Sequence, residues 1–375
     1  MRELNRILEL WHTLEEAGES AVLATVVRTQ GSSYRLPGAR LLLSPDGRHA
    51  GSISGGCLEE DILKKAWWLT ADGPVLRRYD TSPDGEIAAG GFGLGCNGVI
   101  HVLLERIVSG PSILSVLEKV KEVRRAATVA HILRPATAVG QRLVIDVDGN
   151  LSHDIAIPEL ARILVEGYNS GSNEHLQALE LPPGVEAFLE NLTPPVHLLV
   201  FGAGDDAVSL TQLAKYLGWQ VSVLDGRSHY ARKEKFPLAD HVWVRKAGSP
   251  APPIDPWTVA VIMTHSFSQD LDVLQTLASQ PLRYLGLLGP RKRTDQLVAE
   301  AGLDGTEISS SLHTPVGLDI GADGPEQVAL SVTAEIQSVL NGRVGGFLSN
   351  RNGPIHAGES SEEEAANWVR SIVCA

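Results

Sequence analysis

Two glycine-dense loops carry two of the chain's three cysteines. Gly55-Gly56-Cys57-Leu58-Glu59 runs from a glycine turn into a helical stretch, and Gly95-Cys96-Asn97-Gly98 lies in a second loop. A cysteine that opens a helix faces the positive end of the helix dipole, which lowers the thiol pKa and favours thiolate. Glu59, Glu60 and Asp61 work against that effect, so the thiol expected at Cys57 is responsive rather than hyperreactive. A thiolate is a soft ligand for a metal and an acceptor for sulfur, which makes Cys57 the candidate metal ligand. Cys96 serves equally as a second site thiol or as the small buried side chain that a glycine-dense core needs. Gln30-Gly31-Ser32-Ser33 offers a glycine, two hydroxyls and backbone N–H groups. Such a run cradles a phosphate or polar heterocycle, or is an ordinary hairpin loop. With Gly55 and Gly56 it makes up the candidate cofactor site of the first half, and Ser32 is expected to lie close to Cys57.

A second constellation stands in HLLVFGAGDDAVSL, where Gly202-Ala203-Gly204-Asp205-Asp206-Ala207 has the G-x-G-x-x-A form. Gly202 suits a tight turn, Gly204 lets a phosphate approach the backbone, and Ala207 keeps the helix close to the sheet. Asp225, at the end of VSVLD, sits where a ribose-binding carboxylate belongs. Asp205 and Asp206 help a helix N-terminus but oppose a pyrophosphate there. Occupancy by NAD(P) or another nucleotide is therefore an open alternative, and the fold alone carries no function. His265 follows the strand VIMT and reads as a site residue or a solvated loop histidine. Arg291, Lys292 and Arg293 begin a helix, where positive charge opposes the dipole; they read as anion binders or as a solvated basic turn.

These residues need elements to hold them. Leu4, Ile7, Leu8, Trp11 and Leu14 recur at helical spacing, which predicts an amphipathic first helix. Strands follow over Ala21 to Arg28 and Ala39 to Ser44, then a short strand, a glycine turn and the helix of Cys57. AVLATVVR and TVAHILR echo each other, and each leads to a strand of form G-x-R-L-x-x-x-x-D-G, over Gly38 to Gly47 and Gly140 to Gly149. Two similar hairpins in one mixed α/β domain, or a chance likeness, explain the echo. Residues 1–190 form this N-terminal domain. LELPPGVEAFLENLTPPV, with Pro-Pro pairs at 182–183 and 194–195, reads as a linker or a pair of turns. Residues 196–342 alternate strands and helices, as a Rossmann-like doubly wound parallel sheet does. Residues 343–375 form a tail whose SSEEEAANWVRSIV reads as a short helix with a capping box from Ser360 to Glu363.

The chain has 375 residues, 43% of them apolar and 21% charged, which fits two folded domains. A net charge of −13 argues against general affinity for nucleic acid or an anionic membrane. Cys57, Cys96 and Cys374 form no CxxC pair, so neither a disulfide framework nor a zinc finger is indicated. No signal-peptide pattern or membrane-length apolar run occurs, and a cytoplasmic location is expected.

Across most of its length, from Ala21 to about Arg343, the chain resembles the xanthine dehydrogenase accessory protein family of the XdhC/CoxI type. The resemblance rests on TVVRTQGSSYRLPGARLLL, GSISGGCLEEDI, GLGCNG, VFGAGDDAVSL, VLDGR, the THS…D run, YLGLLGPRKR and TPVGLDIGADGPEQVALSVTAEI. Tyr34 and Pro290 depart from it, where proline and serine are usual. The resemblance implies a chaperone that binds the molybdenum cofactor (molybdopterin), assists its sulfuration by a cysteine desulfurase, and delivers it to a molybdenum hydroxylase client. A homodimer is expected. The rival from another class is an NAD(P)-dependent oxidoreductase using Asp225 and His265, for which no hydride-transfer constellation is evident.

Overall fold

The computed structural model describes residues 2–31, 33–80, 98–169, 181, 183–303, 311–350 and 369–372. The chain divides into two compact units, one over Glu3–Pro194 and one over Pro195–Arg351, with the terminal strand belonging to the first.

The first unit is a repeat. Helix α1 (Arg2–Glu16) leads to strands β1 (Ala21–Gly31), β2 (Arg40–Leu43) and β3 (His49–Gly51), helix α2 (Cys57–Leu69), then β4 (Val75–Asp80) and β5 (Gly98–Ile107). Helix α3 (Ile113–Val123) starts the series again with β6 (Ala127–Arg134), β7 (Arg142–Ile145), β8 (Leu151–His153), α4 (Pro158–Asn169) and β9 (Glu186–Leu192). The sheets run β3-β2-β1-β5-β4 and β8-β7-β6-β9. Their registers agree residue for residue. Thr25 faces Arg40 as His131 faces Arg142, and Leu41 faces Gly51 as Leu143 faces His153. Both also carry a bulge at the same place, after which Arg28 faces His101 and Arg134 faces Glu186. The two hairpins legible in the sequence thus belong to two α-β-β-β-α-β repeats, the first of which carries β4 as an additional edge strand between its second helix and its last strand.

Burial explains this arrangement. Ile7, Leu8, Trp11 and Leu14 of α1 share one core with Ile113, Leu114, Leu117 and Val120 of α3 and with residues of both sheets. Helix α2 packs Leu58, Ile62 and Ala66 on the first sheet, and α4 packs Leu160, Ala161 and Leu164 on the second. Two buried ion pairs cross between the repeats: Arg40 with Glu190 at 2.5 Å, and Arg142 with Glu105. Arg40 and Arg142 hold matching positions, as do Glu105 and Glu190, so the crossing is reciprocal, as in a twofold contact. Burial would raise the Glu190 carboxyl, but Arg40 and His131 outweigh it and hold it below the usual range.

The second unit is a parallel sheet of β10 (His197–Phe201), β11 (Gln220–Asp225), β12 (His241–Val244), β13 (Thr258–Ile262), β14 (Leu285–Leu287) and β15 (Leu312–His313), in the order β12-β11-β10-β13-β14-β15. Helices α5 (Asp205–Tyr216) and α8 (Pro325–Leu340) cover one face through Ala207, Leu210, Val332 and Ile336. Helices α6 (Phe267–Leu277) and α7 (Arg291–Glu300) cover the other through Val273, Leu274, Leu277 and Leu297. This is the doubly wound Rossmann arrangement, with its switch point between β10 and β13. Among the described residues no helix is long and apolar enough to cross a membrane.

Two sequence expectations are corrected. Between the Pro-Pro pairs, where the sequence suggests a linker or turns, runs the central strand β9, whose buried Glu190 interrupts the apolar pattern and is neutralised by Arg40. In the tail, where a helix is expected into the last residues, Val369–Ile372 form a strand, β16, paired in parallel with β9. Val369 and Ile372 are β-branched and suit a strand better than a helix. The capping box at Ser360 to Glu363 lies outside the described residues.

Candidate functional site

Strand β3 ends at Gly51, where φ is +92° and a Cβ would collide with the Arg40 carbonyl. Only glycine keeps the two strands this close. Beyond it, Ser52-Ile53-Ser54-Gly55-Gly56 curls around one carboxylate. Glu59 accepts the Ile53 and Ser54 backbone N–H groups at 2.9 and 2.7 Å, Ser52 Oγ at 2.9 Å, Gly56 N–H at 3.1 Å, and Ser54 Oγ. Burial works to raise the Glu59 pKa; the Ser54 hydroxyl and the backbone N–H groups outweigh it and hold the carboxyl below its usual range. The loop is shaped from within by Glu59, so its outer surface is left open.

That surface lines a pocket of about 660 Å³ with Tyr34, Arg35, His49, Gly55, Gly56 and Glu60. A Cβ added at Gly55 or Gly56 would meet nothing within 4 Å. Gly56 caps α2 with φ +117°, a left-handed conformation that glycine adopts freely. Cys57 is the first residue of α2; its thiol lies outside what is described. Arg35 is held by Glu3 at 2.5 Å, and its carbonyl accepts the Ser33 hydroxyl at 2.5 Å. The loop after β1 therefore borders the same pocket as Gly55 and Gly56. Gln30 turns elsewhere: with its amide oriented to satisfy both groups, its oxygen accepts from Arg28 Nη2 and Nε at 2.5 and 3.2 Å. Gly31 ends β1 with φ +70°. Ser32 and Cys96 lie outside the described residues. Among those described, no group of three or more His, Cys, Asp or Glu is arranged to hold a metal ion.

In the Rossmann unit Gly202 has φ +123°, and a Cβ there would strike the Met263 carbonyl, so the turn after β10 requires glycine. Over Gly204 stands a carboxylate of the chain itself. Asp206 Oδ1 takes the Ala207 N–H at 2.9 Å and is the atom nearest a Cβ at Gly204, while Oδ2 lies 2.7 Å from His265 Nε2. Asp225 is buried and accepts the Ala203 N–H at 2.8 Å, the Arg227 N–H at 2.8 Å, and Arg227 Nε and Nη2 at 2.9 and 2.7 Å. Burial opposes its charge, and these bonds more than offset that, leaving its pKa below the usual value. Beside it, a smaller pocket of about 290 Å³ is lined by Arg227, Arg245, Lys246, Thr264 and Gln269.

Arg291 opens α7 and is exposed, whereas Arg293 reaches back to the buried Asp270 at 2.5 Å. Asp270 also accepts the Thr264 hydroxyl at 2.5 Å, so two motifs far apart in sequence form one internal tie. Glu335 likewise ties α8 to the loop after β15, accepting the Gly317 N–H at 2.9 Å and the Tyr284 hydroxyl. Sequence reasoning passed over the roles of Glu59, Arg227 and Asp270. The signal for Glu59 was its place three residues after Gly56, the capping-box spacing.

Fold and site define a two-unit α/β protein: a Rossmann unit, and a repeat unit with an open glycine-lined pocket at a helix N-terminus. The model of the XdhC and CoxI family matches residues 14–80, and that of the XdhC Rossmann domain matches residues 198–336. A Bacillus subtilis (strain 168) protein, named as a probable component of xanthine dehydrogenase, is 34% identical over 87% of this chain and 96% of its own length. The Escherichia coli (strain K12) molybdenum cofactor insertion chaperone PaoD is 26% identical over 86% of this chain and 84% of its own. The crystal structure of a xanthine dehydrogenase from Bacillus halodurans matches with a TM-score of 0.72 and 30% identity, covering 92% of this chain and 97% of that one. The chain belongs to the XdhC and CoxI family.

Proposed function

We propose that the protein is a molybdenum cofactor chaperone that carries the cofactor in the pocket at the start of α2. It holds the cofactor for sulfuration by a cysteine desulfurase and passes it to a molybdenum hydroxylase of the xanthine dehydrogenase type. The observation that carries this reading is the open surface over Gly55 and Gly56, where a Cβ would meet nothing, directly before Cys57 at the head of α2. A pterin has room in about 660 Å³, within the usual range for small-molecule sites. Arg35 and His49 supply donors for the cargo's anionic groups, and a Cys57 thiolate is a soft ligand suited to molybdenum. The cargo gives the client its redox-active metal centre; this chain's residues bind it and shield it. The name of the Escherichia coli relative supports the same reading. A cytoplasmic homodimer remains part of the proposal.

No observation favours the NAD(P)-dependent oxidoreductase. Asp225 is engaged by Arg227 and Ala203, and Asp206 stands where a pyrophosphate would approach Gly204. The test is native mass spectrometry and client reconstitution with protein from a molybdenum-replete host. Cys57→Ala should fold and lose most of the bound cofactor, and Cys96→Ala should lose less. Full retention and client activation by Cys57→Ala would overturn the assignment of the thiol. Robust NAD or NADP reduction by the purified protein would overturn the chaperone reading.

A further inference from the structure

The pocket beside Asp225 opens at the carboxyl ends of the Rossmann strands, the edge at which open parallel sheets receive ligands. Phe201 at the end of β10, Leu224 near the end of β11 and Val273 of α6 give it an apolar lining, and all three are buried. Most of the charge around it is already met within the chain. Arg227 is bound to Asp225, and Arg245 donates to Asp272 at 2.6 Å, to the Ser249 carbonyl at 2.8 Å and to Thr276 at 2.9 Å. The two guanidinium groups therefore do not make an anion site. What Arg245 offers is a planar group fixed at three points, with its side chain 7% exposed and its centre 5.9 Å from that of the Phe201 ring. Its Nε is buried without a hydrogen-bond partner among the described residues. A guanidinium plane held in this way is a stacking surface for an aromatic ring.

Two lining side chains are uncommitted. Gln269, the third residue of α6, and Lys246, two residues after β12, make no side-chain hydrogen bond or ion pair among the described residues. Gly226 makes room for the amide, since a Cβ there would stand 3.2 Å from both Gln269 Oε1 and the Arg245 carbonyl. A volume of about 290 Å³ lies at the lower end for small-molecule sites and suits one ring system rather than a dinucleotide. Toward Gly204, the position for a pyrophosphate is taken by Asp206.

We propose that this pocket binds adenine, presented as a nucleoside or a mononucleotide. A free carboxamide matches the adenine edge, accepting from the exocyclic N6–H while donating to the neighbouring ring nitrogen. Guanine turns two acceptors to the same edge, which sets the amide oxygen against an oxygen. The ring lies among Phe201, Leu224, Val273 and the Arg245 plane, and the exposed Lys246 meets a phosphate where the ligand carries one. The site belongs to the Rossmann unit, and the inference stands whether or not the pocket over Gly55 carries the cofactor.

Calorimetric titration of the full chain, freed of bound small molecules, with adenosine, AMP, guanosine and NAD tests it. Adenosine and AMP should each bind saturably, and guanosine about ten-fold or more weakly, the discrimination that one two-point base contact supplies. Equal affinity for adenosine and AMP identifies the nucleoside as the ligand; tighter binding of AMP that K246Q abolishes identifies the mononucleotide. NAD should bind no more tightly than AMP. Q269L should fold and lose about ten-fold in affinity for adenosine. If Q269L does not fold, Q269E decides, because it keeps the size of the side chain and loses the donor. Guanosine bound as tightly as adenosine, NAD bound about ten-fold more tightly than AMP, unchanged adenosine affinity in a folded Gln269 variant, or no saturable binding of either adenine ligand would overturn the proposal.

Discussion

The two repeats of the first unit agree in their four matching strands and disagree in the loop that follows the third. Registers, bulges and crossed ion pairs match position for position. In the loop after the third strand of each repeat the likeness stops. Counted from the paired residues Gly51 and His153, Gly55-Gly56-Cys57 stands where the second repeat has Ile157-Pro158-Glu159, and Glu59 stands where it has Ala161. Leu58 and Leu160 still pack alike, each beneath its own helix. Packing constraints therefore persist in both copies, while the loop chemistry survives in one. The second copy closes its loop differently, with the Ala156 N–H on Gln141 Oε1 at 2.9 Å, and its Ala161 cannot do what the carboxylate that gathers Ser52 to Gly56 does. The glycines and Glu59 are therefore not required by the fold of a repeat, which is in keeping with the ligand-binding role proposed for this loop.

The sharpest way to break this comparison is through the parts said to be equivalent. Arg40→Met and Arg142→Met should each cost about 3–5 kcal/mol, because each leaves a buried glutamate without its partner. Denaturant unfolding that finds one severe and the other harmless would dissolve the equivalence. Next comes the part said to differ. Glu59→Gln should cost about 1–3 kcal/mol by weakening the bonds that shape the loop. Its pH signature has a fixed sign. The folded-state pKa of Glu59 is depressed, so its stabilisation is present above the unfolded value and is lost as pH falls through the folded one. The stability gap between the natural chain and Glu59→Gln should therefore narrow on acidification; a gap that widens would contradict the Glu59 geometry. A smaller effect is expected at Gly56, whose left-handed backbone should make Gly56→Ala cost about 1–2 kcal/mol. Pro158→Ala, at the matching place, should lie within about 0.5 kcal/mol of the natural chain.

Much of this was legible in the residues. The Rossmann unit announced itself through strand, glycine turn, helix and Asp225 in register. The repeat showed only as an echo of two hairpins, because register is a property of pairing and the matching strands share few side chains. Strand β9 was hidden because a central strand with a buried glutamate looks like a linker until Arg40 is seen beside it. At the site, glycine and cysteine were conspicuous while Glu59 passed for a surface acid. Its role depends on the chain folding back on itself, which spacing hints at and only geometry displays. The same holds for Asp225, where Arg227 two residues on takes the carboxylate that the motif would assign to a ribose.

Gly55 gives the most direct test of the central claim, since it lines the pocket and a Cβ there would meet nothing within 4 Å. Gly55→Leu should unfold within about 0.5 kcal/mol of the natural chain. Molybdenum and pterin content would be measured on both proteins, purified side by side from a molybdenum-replete host. The account predicts that Gly55→Leu retains less than about a tenth of the cofactor, the loss that about 1.4 kcal/mol or more of binding energy would produce. Full retention by a folded Gly55→Leu protein would contradict it and move the cargo site elsewhere.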